Sequence, residues 1–561
     1  MNRSGDVPYR WRGRLVTILA LFGWLGVCSA DAAVSPDALT TIRHLAIQHN
    51  GRHKPFDSFA REVLDRLTGS PRLGRQDPVE TILALLASPE EWQDKRLIAV
   101  PFRPVREALG MDPKATHISL NEIVATRKLM RLLPALRDKL QRDEKLSMKE
   151  QETWDVFERF VLLNKLFEQE LDLVPPASGT DPSWLPILRP SGYPEEQQLA
   201  LRNAWTTLLT AIRDGQRDTL GGAAQQLATL LHGLRPSAYP AQWRLRLEVL
   251  YNQLKPFRVV RLLYVAAFLG LLLGGAPRRR WAWQVGTGAL MIGFLLHGVG
   301  IGTRVVLGGR PPVSNFYETM LWLPFVLVLL SLVFERIYRA RYFGMAASLL
   351  AAIVLLLADH LPLDPSISPV VAVLRSNLWL SIHVLMVVGS YAPLTLSLGL
   401  AHIYAIRYLA GRPAVGGAGG ASEALERLDT FLYRAIQVGV IMLACGIMLG
   451  AVWANASWGR YWAWDPKETW ALITLLWFLA VLHGRFAGWI KGVGVALATI
   501  PGFFLLLMTY YGVSFYLVGL HSYAGGHAKP LPPLLIYYVI GEVAFMLLVA
   551  GAALARRRVA M

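Results

Sequence analysis

Residues 258–300 read RVVRLLYVAAFLGLLLGGAPRRRWAWQVGTGALMIGFLLHGVG. Two apolar runs, 259–275 and 281–300, flank the triplet Arg278-Arg279-Arg280. A helix needs roughly 20 apolar residues to cross about 30 Å of hydrocarbon, so this stretch predicts a pair of membrane spans joined by a basic turn. The same pattern continues downstream, with apolar runs at 317–334, 343–358, 378–405, 432–452, 468–484, 492–517 and 534–555. The second half of the chain therefore predicts about nine spanning helices in an all-α, polytopic membrane fold.

Basic residues set orientation. Besides Arg278–Arg280 they cluster at Arg336, Arg339 and Arg341, at Arg407, Arg412, Arg427 and Arg434, at Arg485 and Lys491, and at Arg556-Arg557-Arg558. These are alternate connections, so all fall on one side, the cytoplasm by the positive-inside rule. Nine crossings that start outside also put the C-terminus inside, beside its arginines. Composition agrees with this reading. The chain has 561 residues, 53% hydrophobic and only 17% charged, with a net charge of +17. Soluble domains carry about 25% charge, and disorder needs low hydrophobicity, so both classes are excluded. The excess of arginine is explained by orientation and does not call for nucleic acid. Two cysteines, Cys28 and Cys445, form no Cys-x-x-Cys, which excludes a redox pair, a thiolate zinc site and a c-type haem attachment motif in this chain.

Ahead of the membrane half, Arg10, Arg12 and Arg14 precede the apolar run Leu15–Val27, and Ala30-Asp31-Ala32 follows. This is the pattern of a signal peptide over residues 1–33, with an uncleaved anchor and, at Leu25-Gly26-Val27-Cys28, a lipoprotein box that Val27 fits poorly as the other readings. Residues 34–256 have soluble composition. Apolar residues at three- and four-residue spacing in Leu120–Leu140 and Glu150–Leu171 predict amphipathic helices, hence a mostly helical extracytoplasmic domain. Gly51–Asp57 reads as a turn leading into a helix, with His53 a solvated turn residue.

The connection after the sixth span carries Trp453, Trp458, Tyr461, Trp462, Trp464 and Trp470, with Arg460, Asp465 and Lys467 among them. An aromatic belt needs one or two rings per helix end, and this is a packed cluster. Asp465-Pro466 marks a helix start, with Pro at the first position. A dense aromatic surface beside Arg460 and Lys467 suits a large, flat, apolar, anionic ligand. Haem has that shape; quinone, lipid and a purely structural role also fit the residues.

The wording of the stretch resembles the tryptophan-rich WWD signature of haem-handling proteins in cytochrome c biogenesis, and specifically the CcsA/ResC-type cytochrome c synthase subunit. The resemblance runs from Leu428 through Tyr433-Arg434 and Gly446 to Trp453, then to Leu482-His483, and returns at Gly519–Tyr523. It is also visible in Gly309–Glu318 and in Trp379–His383 with Ser390-Tyr391. The first half of the chain is not covered with comparable specificity.

That resemblance implies a set of roles. His383 and His521, at the outer ends of the fifth and eighth spans, match the external histidines implicated as axial ligands of haem iron, for which neutral imidazole is suited. His483 matches a transmembrane histidine that holds haem on its way across the bilayer. His402 lies at similar depth and is a candidate second ligand there, although in the family that partner belongs to the CcsB/ResB component. Trp453, Trp458, Tyr461, Trp462, Trp464 and Asp465 form the expected haem-contact loop. Arg310, Asn315, Glu318, Arg460 and His297 are supporting candidates: Arg310 for a propionate or for Glu318, Asn315 and Glu318 for a loop-to-helix junction, and Asp465 for orienting Arg460 or a ligating histidine. No residue is assigned as a catalytic nucleophile. The implied reaction joins the vinyl groups of haem b to the thiols of an apocytochrome Cys-x-x-Cys-His site, with the substrate cysteines as nucleophiles. Implied partners are a CcsB/ResB-type membrane protein, apocytochrome c, thiol-reducing proteins and the lipid bilayer of a bacterial inner membrane. A haem carrier without ligation activity and a non-haem membrane scaffold are the alternatives.

Overall fold

A computed structural model describes residues 36–142, 144–177, 183–275, 279–361, 363–369, 377–411, 419–521 and 532–560. The signal-peptide pattern at 1–33 lies outside these. Nine helices among the described residues are long and apolar enough to cross a membrane. They are α1 (Pro256–Leu273), α2 (Arg280–Gly308), α3 (Phe316–Tyr338), α4 (Phe343–His360), α5 (Asn377–Ala410), α6 (Gly419–Trp458), α7 (Pro466–Phe486), α8 (Val493–Tyr516) and α9 (Pro533–Ala560). Their side chains pack one apolar core around α3, α4, α5 and α6.

The centre of that core is the long α5–α6 pair. Glycines on α6 bring the two backbones together, as small residues do in membrane helix pairs. A Cβ at Gly446 would lie 2.6 Å from Val387 Cγ2, and one at Gly450 would lie 2.5 Å from His383 Cε1. The sixth helix also runs further than its apolar run. It continues through Trp453 to Trp458 and stops only where Gly459 takes φ +70°. Trp453 and Trp458 are therefore helical residues of α6, Trp470 belongs to α7, and the connection proper is residues 459–465.

The residues before α1 form a separate, mostly helical unit with its own apolar core. The periodic stretch 120–140 is two helices, Leu120–Thr126 and Lys128–Gln141, because Arg127 between them takes φ +52°. Gly51–Asp57 is not a plain turn before a helix. Ala46–His49 (β1) pairs antiparallel with Arg52–Pro55 (β2), and helix Phe56–Thr68 follows directly. Asn50 and Gly51, at φ +50° and +71°, make the two-residue hairpin turn for which Asn-Gly is the usual signal. His53 on β2 is exposed and lies against Trp184, with ring centroids 4.8 Å apart.

A short break at Lys255 connects this unit to the bundle, between helix Gln242–Leu254 and α1. Tyr251, near the end of the first of these helices, accepts at its hydroxyl oxygen from Arg304 Nη1 of α2 at 3.2 Å. Arg304 reaches Glu318 at 2.9 Å and the carbonyls of Pro365 and Ser366. Arg310 meets the other Glu318 oxygen at 2.7 Å and the Ser368 carbonyl at 2.6 Å. Burying a carboxylate without partners is costly, and two guanidiniums here answer one carboxylate. This network welds the domain, α2, α3 and the 363–369 segment into one end of the molecule.

Candidate functional site

The site begins at the first turn of α7. Asp465 caps it, accepting from the Lys467 amide at 2.9 Å, and Pro466 occupies the first helical position. Glu468 reaches back and accepts from the Ala463 amide at 2.9 Å and the Asp465 amide at 3.2 Å. Those amides flank Trp464, which is held in the left-handed region at φ +58°. A bulky residue is uncommon there, and the clamp supplies the compensation. Its ring is turned out, 70% exposed, and meets Trp462 edge-on with centroids 5.8 Å apart. Tyr461 and Arg460 are also exposed.

The other side of the loop faces histidines. The remaining oxygen of the Asp465 cap accepts from the Leu520 amide at 2.6 Å, and His521 Nδ1 donates to Asp465 Oδ1 at 2.9 Å. Burial alone would raise the Asp465 carboxyl. The His521 imidazole and the amides of Lys467 and Leu520 outweigh it and hold Asp465 below the usual carboxylate range. Asp465 thus orients His521 rather than Arg460.

His383, on the first turns of α5, donates from Nδ1 to the Gly446 carbonyl of α6 at 2.9 Å. Its ring stacks on Trp453 at 6.3 Å, and His521 meets the same indole at 6.4 Å. Trp458 packs against both Trp453, at 4.7 Å, and His521, at 6.1 Å. His383 and His521 are thereby brought to one buried indole from elements far apart in sequence. Trp453 Nε1 is buried with no hydrogen-bond partner among the described residues.

The histidine nitrogens sort the candidates chemically. A carbonyl or carboxylate accepts only, so each Nδ1 that faces one carries the proton and leaves Nε2 with its lone pair when the ring is neutral. His383 and His521 are in this state, and neither Nε2 has a protein partner among the described hydrogen bonds. His483, exposed on α7, has Nδ1 on the Leu479 carbonyl at 2.7 Å. His402 has Nδ1 on the Leu398 carbonyl, but its Nε2 is taken by Glu542 of α9 at 3.0 Å, with Phe545 stacked on the ring. A metal-ligand role for His402 requires Glu542 to move away. His297 has both nitrogens engaged, by Tyr264 at 3.1 Å and the Leu321 carbonyl at 3.0 Å, and is fully buried, so its part is structural.

By the helical rise, His402 stands about 28 Å along α5 from His383, and His483 about 26 Å along α7 from Pro466. They occupy similar depth near the end of the bundle opposite the tryptophan-rich loop. Of the supporting residues, Arg310 pairs with Glu318, and Asn315 Oδ1 caps α3 by accepting from the Glu318 amide at 2.8 Å. Lys467 does not stand beside the aromatic surface. Its amine turns inward to the Tyr510 carbonyl at 3.1 Å and Ser514 Oγ at 2.7 Å. Sequence reasoning missed Arg304 and Glu542. For Glu542 the signal was there, since a single charge inside the apolar run 534–555 is expensive and rarely idle; Arg304 lies just past the run 281–300.

A family profile described as "Cytochrome C assembly protein" matches residues 313–521, from the start of the α3 cap to His521. Protein NrfI of Wolinella succinogenes is 31% identical over 500 residues, which cover 86% of this chain and 54% of NrfI. The chain thus spans about half the length of that relative, and the match extends well into the domain before α1. The cytochrome c biogenesis protein CcsA of Parasynechococcus marenigrum is 36% identical over 299 residues, covering 48% of this chain and 97% of CcsA. CcsA of Prochlorococcus marinus (strain MIT 9301) is 33% identical over 299 residues, covering 49% and 96%.

Proposed function

The chain belongs to the CcsA-type family of cytochrome c biogenesis proteins, and from that premise we propose that it binds haem b as substrate and presents it at the tryptophan-rich loop for attachment to apocytochrome c. The observation that carries this reading is the pair His383 and His521, each with Nδ1 tied down and Nε2 free, on either side of the buried Trp453. Ligating histidines are commonly oriented through the second nitrogen in this way. Trp458, Tyr461, Trp462 and Trp464 supply apolar wall, and Arg460 is the exposed cation at the loop available to a propionate.

Attachment is an addition. Each substrate thiol S–H adds across a vinyl C=C, forming one S–C and one C–H bond, with nothing leaving. The protein's own residues orient the ring, exclude water and hold the substrate still, which is worth up to about 7–11 kcal/mol of barrier in favourable cases. On this reading the loop and the domain before α1 face the extracytoplasmic side of a bacterial inner membrane. His483 receives haem deeper in the bilayer, its second ligand coming from a CcsB/ResB-type partner or from His402 after Glu542 releases it. Thiol-reducing proteins keep the apocytochrome cysteines ready.

The test is the optical spectrum of the purified protein, with His383, His402, His483 and His521 each replaced by Gly. Replacement of His383 or His521 is expected to abolish a low-spin haem spectrum that free imidazole restores. A wild-type protein that carries no haem and takes up none on titration defeats the reading. Coexpression with an apocytochrome and the partner separates ligation from carriage: only ligation leaves haem on the cytochrome after denaturation.

A further inference from the structure

Helix α8 is not a regular α-helix throughout. Over Met508–Gly512 it winds as a π-helix, a form that occurs mostly as single wide turns at functional sites. This wide turn is stitched to the start of α7. Lys467 Nζ donates to the Tyr510 carbonyl and meets Ser514 Oγ. Thr509 Oγ1 lies 2.9 Å from the Trp470 carbonyl and 2.8 Å from Thr474 Oγ1. Tyr510 in turn stacks on Phe316 at 4.7 Å and shares its hydroxyl with Thr319 at 2.9 Å, which ties the turn to α3.

Two consequences meet at one place. Lys467 lies two residues after Asp465, on the same first turn of α7. The π-turn ends at Gly512, one helical turn (Val513–Tyr516) and a short link before Leu520 and His521, which Asp465 holds by the amide and the imidazole. A buried amine must place its N–H donors on acceptors or lose their hydrogen bonds to water, so the two oxygens that receive Lys467 tie the π-turn of α8 to the first turn of α7. We propose that Lys467 is a positioning residue, locking the π-turn of α8 to the first turn of α7 so that His521 meets Asp465 with its Nε2 free. This rests on the haem-site reading for its purpose but not for its geometry.

The experiment reads both separately. Lys467→Met keeps the reach of the side chain and removes its donors. In the haem-free protein in nanodiscs, hydrogen exchange at the Leu520 amide is expected to accelerate by about tenfold or more, as that bond to Asp465 opens more often. In the haem-loaded protein the same variant is expected to lose the low-spin spectrum and regain it with free imidazole, like His521→Gly. Lys467→Gln, which restores an amide donor, is expected to recover part of both. Unchanged exchange at Leu520 in Lys467→Met overturns the proposal, whether or not the protein binds haem. If wild type binds no haem but exchange responds, the haem reading falls and the lock stands. If Lys467→Met does not accumulate, Ser514→Ala removes one of the two acceptors and is expected to give the smaller effect of the same sign; no change there also overturns it.

Discussion

Five histidines of the bundle can be read by what their two nitrogens touch. His297 uses both on protein, His402 gives one to a carboxylate, and His383, His483 and His521 each keep one. Residue type and depth alone could not separate these five. Asp465 is the side chain on which most converges, since it caps α7, holds the Leu520 amide and orients His521. Asp465→Asn removes the charge that strengthens all three bonds. Haem affinity, measured by titration, is expected to fall by about 10–100-fold, the usual cost of losing an orienting partner of a ligating histidine. An affinity equal to wild type would mean that His521 is placed by other contacts.

Among the elements, the α5–α6 pair does most to build the site, because the His383 ring lies against the glycines of α6. Gly450 is the glycine that allows this. A methyl there would stand 2.5 Å from His383 Cε1 and 2.9 Å from Nδ1, so the ring would have to leave the Gly446 carbonyl. Gly450→Ala is expected to cost about 1–3 kcal/mol by overpacking, read as a lower unfolding midpoint, and to leave a haem spectrum that free imidazole corrects. Gly439→Ala on the same helix would press on Leu394 instead. It should cost stability without the imidazole response, and a spectral change there equal to that of Gly450→Ala would contradict a specific role for the His383 contact. The helical extent of α6 belongs to this scale too. Trp453 and Trp458 point where they do because the helix continues past the apolar run to Gly459.

For the whole molecule, the junction between the domain and the bundle carries an unbalanced charge cluster. Arg258 and Arg261 share Asp359, at 3.6 Å and 2.6 Å, while Lys255 stands beside them with no carboxylate of its own among the described ion pairs. Burial, with Arg258, Arg72 and Arg61 adding to it, pulls the Lys255 ammonium down to about 8. An unfolded lysine titrates near 10.4, so between about 8 and 10.4 the unfolded chain binds more protons and stability rises with pH. Lys255→Met is expected to raise the unfolding midpoint at pH 7 and to lack that rise. Superimposable midpoint–pH curves for the two proteins would show that the cluster carries no penalty. The domain's attachment through Tyr251 and Arg304 lies next to the α3 cap, so the same junction borders the region matched by the family profile.

Much was legible without coordinates because membranes restrict the choices. Runs of the right length can only be helices in hydrocarbon, where every backbone group must be satisfied within the segment, and each of the nine runs is matched by a helix among the described residues. The Asp465-Pro466 start of α7 was equally readable, since a cap and a first-turn proline act over a few residues. What the tertiary structure decided is pairing across distance. That His521 meets Asp465, that Lys467 turns inward to a π-turn, that Glu542 occupies His402 and that Gly450 makes room for His383 all depend on contacts between separate helices. Local sequence determines whether a segment becomes a helix. Which face meets which neighbour is settled only when side chains from several helices compete for the same space and the same buried protons.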